Sequence, residues 1–248
     1  MAEVQDLERY DRARPSYPEA LIKRIAAAGP RVLDVGCATG TEARQFRDAG
    51  CVVLGVEPDA RMAAYATSSG VNVEVATFEE WDPAGRSWDA VVAGTSWHWV
   101  GQVEGARKAA DMLRPGGLLA PFWHATTVPR PVQEAFVTAF YRVAPDSPVV
   151  LCVDQQGVEG YRRILDQAAD GIRRSERFGE PEYWTFDGEQ VYTRDLWLEH
   201  VASWGVVRAL GAKGVREIQQ AVGQAIDAEG GRLTVGCTSV VIGAWLAA

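Results

Sequence analysis

The sequence predicts a doubly wound α/β fold: a mostly parallel seven-stranded sheet with a helical cap inserted after the fifth strand. Three observations predict it. Between residues 16 and 124, apolar runs of strand length alternate with helical segments, and Gly or Pro marks the junctions; this is the rhythm of a parallel sheet covered on both faces. The first strand ends in the glycine-rich run "VLDVGCATG", which leads straight into a helix, as the ligand-binding crossover of open α/β sheets does. A β-rich tail, "RLTVGCTSVVIGAWLA", remains to complete the sheet after the rhythm has changed.

Taken in order, "SYPEALIKRIAAAG" carries its own helix start, with Ser16 as cap, Pro18 in the first turn, and Leu21, Ile22 and Ile25 as an apolar stripe. "RVLDVG" is a strand, "TEARQFRDAG" a helix, "CVVLGVEP" a strand and "DARMAAYATSSG" a helix. "VNVEVATF", "WDAVVAG" and "GLLAPFW" are expected as strands three to five, with the helix "QVEGARKAADMLRPGG" before the last. Beyond residue 124 come a helix stopped by Pro145, a second helical stretch interrupted by glycines, and the strand-like "PEYWTFDGEQVY". A helix capped by Thr193, another over "GVREIQQAVGQAIDAEGG" and the final β-rich segment follow.

Composition narrows the function classes. The net charge is -8 and no run of five basic residues occurs, which argues against a nucleic-acid footprint. The charged N-terminus has no apolar h-region, and no apolar run is long enough to span a bilayer, so a cytoplasmic protein is expected. Cys37, Cys51, Cys152 and Cys237 lack CxxC spacing and read as free thiols; the three histidines lack any metal-ligating spacing. No metal is expected.

The glycine turn carries the most chemistry. Gly36 and Gly40 let the backbone turn tightly and approach a ligand. Starting at Gly36, however, Ala38 and Thr41 occupy the places where a G-x-G-x-x-G dinucleotide turn wants glycines, and no GK[ST] triphosphate loop is present. What remains is D-x-G-x-x-x-G, with Asp34 at the strand end, which suits a ligand bearing positive charge. Glu57 ends the second strand, where an acidic group accepts hydrogen bonds from ribose hydroxyls. Pro58 helps to end that strand.

In these motifs the chain resembles class I S-adenosylmethionine-dependent methyltransferases. "VLDVGCATG", "VEPDARM", "VATFEEW", "WDAVVAGTSWHWV" and "LRPGGLLA" follow the family's order across residues 31–123. More narrowly, "YDRARPSYP", "SWHWV" and "LLAPFWH" are similar to the small-molecule branch that contains trans-aconitate methyltransferase. The resemblance implies a single domain over 1–248. Residues 1–30 would form an N-terminal arm and first helix, 31–124 the cofactor-binding core, 125–180 a helical insertion, and 181–248 the C-terminal part of the sheet. It implies S-adenosylmethionine as cofactor, with Asp34 near its ammonium, Gly36, Cys37, Ala38 and Gly40 along its methionyl and ribose portions, Glu57 and Pro58 at the ribose, Thr77, Phe78 and Glu79 at the adenine, and Ser96 beside it.

Methyl transfer from a sulfonium asks the protein to align the acceptor and exclude water. A hydroxyl acceptor also profits from a base, whereas a carboxylate needs none. His98 is the first candidate base and His124 the second; the alternative is that His98 only shapes the pocket. If "SWHW" is extended, Trp97 and Trp99 share one face and His98 takes the other. Tyr10, Arg14, Tyr17, Trp97, Trp123 and Tyr141 are candidate acceptor contacts, with Phe140, Arg142, Tyr161 and Trp184 in reserve. The expected activity is transfer to oxygen of a small molecule, without nucleic acid or membrane, in a chain that could form a homo-oligomer. The competing readings are a non-catalytic nucleotide-binding or regulatory protein and a nicotinamide-dependent oxidoreductase.

Overall fold

A computed structural model of the chain describes residues 2–147 and 155–247, with side chains from Leu7 onward; Cys152 lies outside the described residues. The order is α1 (Ala2–Ala13), α2 (Glu19–Ala26), β1 (Arg31–Val35), α3 (Thr41–Asp48), β2 (Val52–Val56), α4 (Ala60–Ser68), β3 (Asn72–Glu74) and β4 (Trp88–Gly94). A 3₁₀ turn (Trp97–Trp99), α5 (Gln102–Met112), β5 (Leu113–Thr127), α6 (Arg130–Val143) and α7 (Gly157–Ser175) come next. The chain closes with β6 (Glu182–Thr193), α8 (Arg194–Ser203), α9 (Gly205–Arg208), α10 (Gly211–Ala228) and β7 (Arg232–Trp245).

The seven strands form one mostly parallel sheet in the order β3-β2-β1-β4-β5-β7-β6, which agrees with the expected fold class. Strand order reverses beside β1: β2 and β3 extend one way, β4 and β5 the other. The carboxyl ends of β1 and β4 therefore flank the switch point at which open α/β sheets bind ligands. β1 is central, pairing Leu33 with Leu54 on one side and with Val91 on the other. Four of its five residues are buried, so it shows a continuous apolar run and no alternation.

The chain divides into two compact units. The first comprises Ser16–His124, Arg162–Phe186 and Ser239–Ala248. Its core gathers Leu21, Ile22 and Ile25 of α2, Phe46 of α3, Val32, Ala90 and Val92 of the central strands, and Phe122 of β5. Burying each large aliphatic side chain contributes about 1.5–3 kcal/mol. The second unit comprises Met1–Pro15, Ala125–Tyr161 and Asp187–Thr238. Phe136 and Phe140 of α6, Trp197 of α8, and Ile218 and Val222 of α10 form its core. His200 packs there against Tyr192, Trp197 and Trp204.

Four local expectations need correction. Ser16 caps nothing; α2 starts after Pro18, whose carbonyl accepts from the N–H groups of Leu21 and Ile22. The third strand is only Asn72–Glu74, because Trp81 Nε1 donates to Glu74 Oε2 (2.5 Å) and Arg86 also bonds that carboxylate, folding the following residues back. The glycines of "GVEGYRRILDQAADG" do not break α7; Gly171 lies close against Gln102, where a Cβ would meet that residue at 2.6 Å. "SWHW" is not extended, with consequences described below. Thr193 does cap α8, accepting from the Leu196 N–H. Among the described residues no helix is long and apolar enough to cross a membrane.

Candidate functional site

The turn after β1 is held in a left-handed zigzag, with φ of 70° at Gly36, 47° at Ala38 and 84° at Gly40. Gly36 is required twice over: its φ favours glycine, and a Cβ would sit 2.7 Å from the Ser96 Cβ. Gly40 opens α3 as its N-cap and, as a glycine, brings no capping side chain of its own. The Cys37 side chain turns away from the turn into the space beside Gly55, so Cys37 offers a ligand only its backbone. Burial, first, and the neighbouring acids push its thiol pKa far up.

Asp34 has no exposed surface, and neither carboxylate oxygen has a hydrogen-bond partner among the described residues. Burial raises its pKa well above the ordinary value, and the charges of Glu42 and Glu57 add to that. An orphaned buried carboxylate costs folding about 1–3 kcal/mol or more; a cation placed there would remove the cost. Glu42, in the first turn of α3, is not singled out by the sequence. Its carboxylate fills the space that a Cβ on Gly94 would take, and the visible signal was only an acid in the first turn of the helix after the glycine motif. Glu57 is buried, its Oε2 accepting from the Ala38 N–H and its Oε1 from the Asp59 N–H, both at 2.9 Å. Burial nevertheless raises its pKa, and those two N–H donors only partly offset the shift. It therefore clamps the glycine turn while keeping a lone pair on each oxygen for further donors. Pro58 is exposed beside it.

On the β3 side, Thr77 is exposed and caps the next turn, accepting from the Glu80 N–H. Glu79 Oε1 accepts from the Gly101 N–H at 3.1 Å. Phe78 is 4% exposed, 6.1 Å from the Trp97 ring, with the Lys108 ammonium 5.5 Å from its centroid. Phe78 is therefore almost wholly enclosed.

The ends of β4 and β5 carry the rings. Thr95 takes φ 55°, a strained value for a β-branched residue, and its N–H donates to the Phe122 carbonyl. Ser96 Oγ donates to the Val35 carbonyl at 2.5 Å, stitching the end of β4 to β1. The 3₁₀ turn then separates the two tryptophans that an extended chain would have kept together. Trp97 is fully buried against Phe78 and Gly105, while Trp99 is 78% exposed. Trp97 thus packs as core and does not border an open surface, contrary to its place among the acceptor contacts. His98 is half-buried; its Nδ1 accepts from the Trp123 indole N–H at 3.3 Å, and burial lowers its pKa. His124 stacks on Tyr17 (3.9 Å, 8°) with its Nδ1 3.0 Å from Ser239 Oγ. The Tyr17 hydroxyl lies 3.0 Å from Thr95 Oγ1, and its ring packs edge-on to Phe122. Tyr17 and His124 thus form one pair and His98 and Trp123 another; successive residues of β5 send Trp123 and His124 to opposite faces of the sheet.

The remaining candidate contacts are distributed over both units. Tyr10 and Arg14 lie in the second unit, joined by an Arg14 Nη2–Tyr10 hydroxyl bond of 2.7 Å. Tyr141 is also there, 42% exposed on α6, while Phe140 is core. Trp184 belongs to the first unit but lies beneath the Arg24 guanidinium at 3.9 Å and against Gly243, packed as core. No cluster of three metal-ligating side chains occurs among the described residues.

A buried unpaired acid at the head of a glycine turn, beside a second acid on the adjacent strand, suits a ligand that carries a cation and neighbouring hydroxyls. A family model described as a methyltransferase domain matches residues 10–121. An uncharacterised methyltransferase of Mycobacterium tuberculosis is 36% identical over 121 residues, covering 46% of this chain and 49% of the relative. A malonyl-[acyl-carrier protein] O-methyltransferase of Enterobacter lignolyticus is 32% identical over 125 residues, covering 45% and 50%. The chain thus spans about half the length of the curated relatives it matches. Among solved structures, a protein of Anaeromyxobacter dehalogenans provisionally described as a type II methyltransferase aligns with a TM-score of 0.67 at 23% identity, over 93% of this chain and 97% of that one. The matched methyltransferase domain and the strand order agree with the class I methyltransferase fold.

Proposed function

We propose that the protein transfers the methyl group of S-adenosylmethionine to an oxygen atom of a small molecule, in the branch that resembles trans-aconitate methyltransferase. The observation that carries this reading is Asp34, a buried carboxylate without a partner at the first glycine turn. It fits the ammonium of the cofactor's methionyl portion. Glu57, already clamped by two backbone N–H groups, has lone pairs left for the ribose hydroxyls. Thr77, Phe78 and Glu79 border the adenine place, and the backbone of Gly36 through Gly40 lines the rest. Bound there, the cofactor would supply an activated sulfonium methyl group; an acceptor oxygen that arrives ionised, as a carboxylate or phenolate, would take it as the carbon–sulfur pair returns to sulfur. The chain's own work is orientation and exclusion of water. His98, backed by the buried Trp123, would form the wall against which the acceptor rests. The net charge of -8 without a basic run supports a small molecule over nucleic acid. The O-methyltransferase among the relatives supports oxygen as the acceptor atom.

Calorimetry with S-adenosylhomocysteine tests the cofactor site. The wild type is expected to bind, and Asp34→Ala and Glu57→Ala to lose most of that affinity; unchanged affinity in both variants overturns the site. Release of S-adenosylhomocysteine from S-adenosylmethionine over a panel of small carboxylic acids, phenols and amines tests the reaction. Turnover confined to amines would reject oxygen as the acceptor.

A further inference from the structure

We propose that the indole N–H of Trp123 fixes His98 as the neutral tautomer protonated at Nε2, so that His98 gives the acceptor a hydrogen-bond donor and does not act as a base. The inference rests on the reading that the acceptor meets this wall. It follows from hydrogen-bond grammar. An indole nitrogen only donates, so the Nδ1 that lies 3.3 Å from Trp123 Nε1 must offer its lone pair. The single proton of a neutral imidazole then resides on Nε2. The lone pair that a general base would use is already engaged.

Protonating the ring would set N–H against N–H across this contact, so the charged form is disfavoured by geometry. Burial of the ring acts in the same direction. Trp123 itself is immobile: it has no exposed surface and sits on β5, beside β4 in the central sheet. His98, by contrast, rides on the short 3₁₀ turn between β4 and α5. The rigid partner therefore dictates the tautomer of the less constrained one. Trp123 is a positioning residue in this scheme, acting through His98.

Imidazole ¹⁵N spectra of the histidine-labelled chain test it without any ligand, with His98→Gln assigning the signal. A pyrrole-type Nε2 and a pyridine-type, hydrogen-bonded Nδ1 coupled to the Trp123 indole proton are expected. In Trp123→Phe the coupling should vanish and the Nδ1 signal should move to its unbonded position. A proton on Nδ1 in the wild type, or an unchanged spectrum in Trp123→Phe, overturns the inference. If Trp123→Phe fails to fold, the wild-type spectrum alone decides. With the best acceptor from the acid and phenol panel, His98→Gln, whose amide N–H can stand in for Nε2–H, should keep turnover within about tenfold of wild type, while His98→Leu falls further. A Gln variant as slow as the Leu variant overturns the donor role. Failure to bind S-adenosylhomocysteine would sink the methyltransferase reading and leave the tautomer result standing.

Discussion

At the ends of β1 and β2 the site is made of backbone, whereas at the ends of β4 and β5 it is made of rings. In the first corner Gly36, Ala38 and Gly40 set the path of the chain, and Glu57 clamps it through two N–H groups. Among the described residues of this corner, Asp34 keeps both carboxylate oxygens without a hydrogen-bond partner. In the second, three segments supply two pairs: Tyr17 stacks on His124 and bonds Thr95, while Trp123, next to His124 on β5, donates to His98. A backbone corner accepts little change because its atoms have no rotamers to adjust. A ring corner can be retuned one side chain at a time. Variation among acceptors is thus expected to fall on the second corner, with the first unchanged.

The largest effect should come from Gly36→Ala. The new Cβ would lie 2.7 Å from the Ser96 Cβ at a φ of 70°, combining overpacking with left-handed strain. A stability loss of about 3 kcal/mol is expected in urea titration. A loss below about 1 kcal/mol would mean that Ser96 gives way, and the two corners would then be less rigidly joined than the contact implies.

Asp34→Asn should separate stability from binding. The folded pKa of Asp34 is raised, chiefly by burial and then by Glu42 and Glu57. As pH rises above the usual carboxylate range, near 4, the unfolded chain loses this proton before the folded chain does. Stability contributed by the protonated acid is complete below that range and falls until the folded group itself ionises. The Asn variant escapes this loss, so its ligand-free melting temperature should exceed that of the wild type at pH 7, with the gap closing toward pH 4. Its affinity for S-adenosylhomocysteine should fall about tenfold to hundredfold. A wild type that outmelts the variant at pH 7 would mean that Asp34 has a partner in solution.

Tyr17→Phe probes the ring corner. It removes the 3.0 Å bond to Thr95 Oγ1 but keeps the stack on His124, so a loss of about 1 kcal/mol is expected. A double-mutant cycle with Thr95→Val should show that the two losses are not additive. Full additivity would reduce the contact to a coincidence of position.

The same division explains what could be read in advance. Alternating strands and helices, the glycine turn, Asp34 and Glu57 were legible because backbone constraints leave local signatures: glycine where φ is positive, an acid at a strand end. The ring corner was not. His98 and Trp123 are brought together by the β4–β5 pairing, a nonlocal fact that neither segment encodes. "SWHW" was misjudged because an alternating pattern assumes an extended chain, while Thr95 at φ 55° ends the strand and starts a 3₁₀ turn. Ser16 failed as a cap because the Pro18 carbonyl had already taken the first N–H groups of α2. Glu42 went unnoticed since an acid in the first turn of a helix is ordinary on dipole grounds; only its burial beside Asp34 makes it unusual.

The smallest effect, and the sharpest test of the backbone corner, belongs to Ala38→Gly. Ala38 holds φ 47°, a left-handed conformation that costs an L-residue about 1–2 kcal/mol. Glycine would relieve that strain but return about 0.4–1 kcal/mol of entropy to the unfolded chain. The net gain should be about 0.5 kcal/mol, seen as a small rise in melting temperature. The Ala38 N–H bond to Glu57 belongs to the backbone and survives the change, so affinity for S-adenosylhomocysteine should stay within about threefold. Were the variant to lose stability or binding, the methyl group of Ala38 would be making a contact that matters. The first corner would then rest partly on side chains, as the second does.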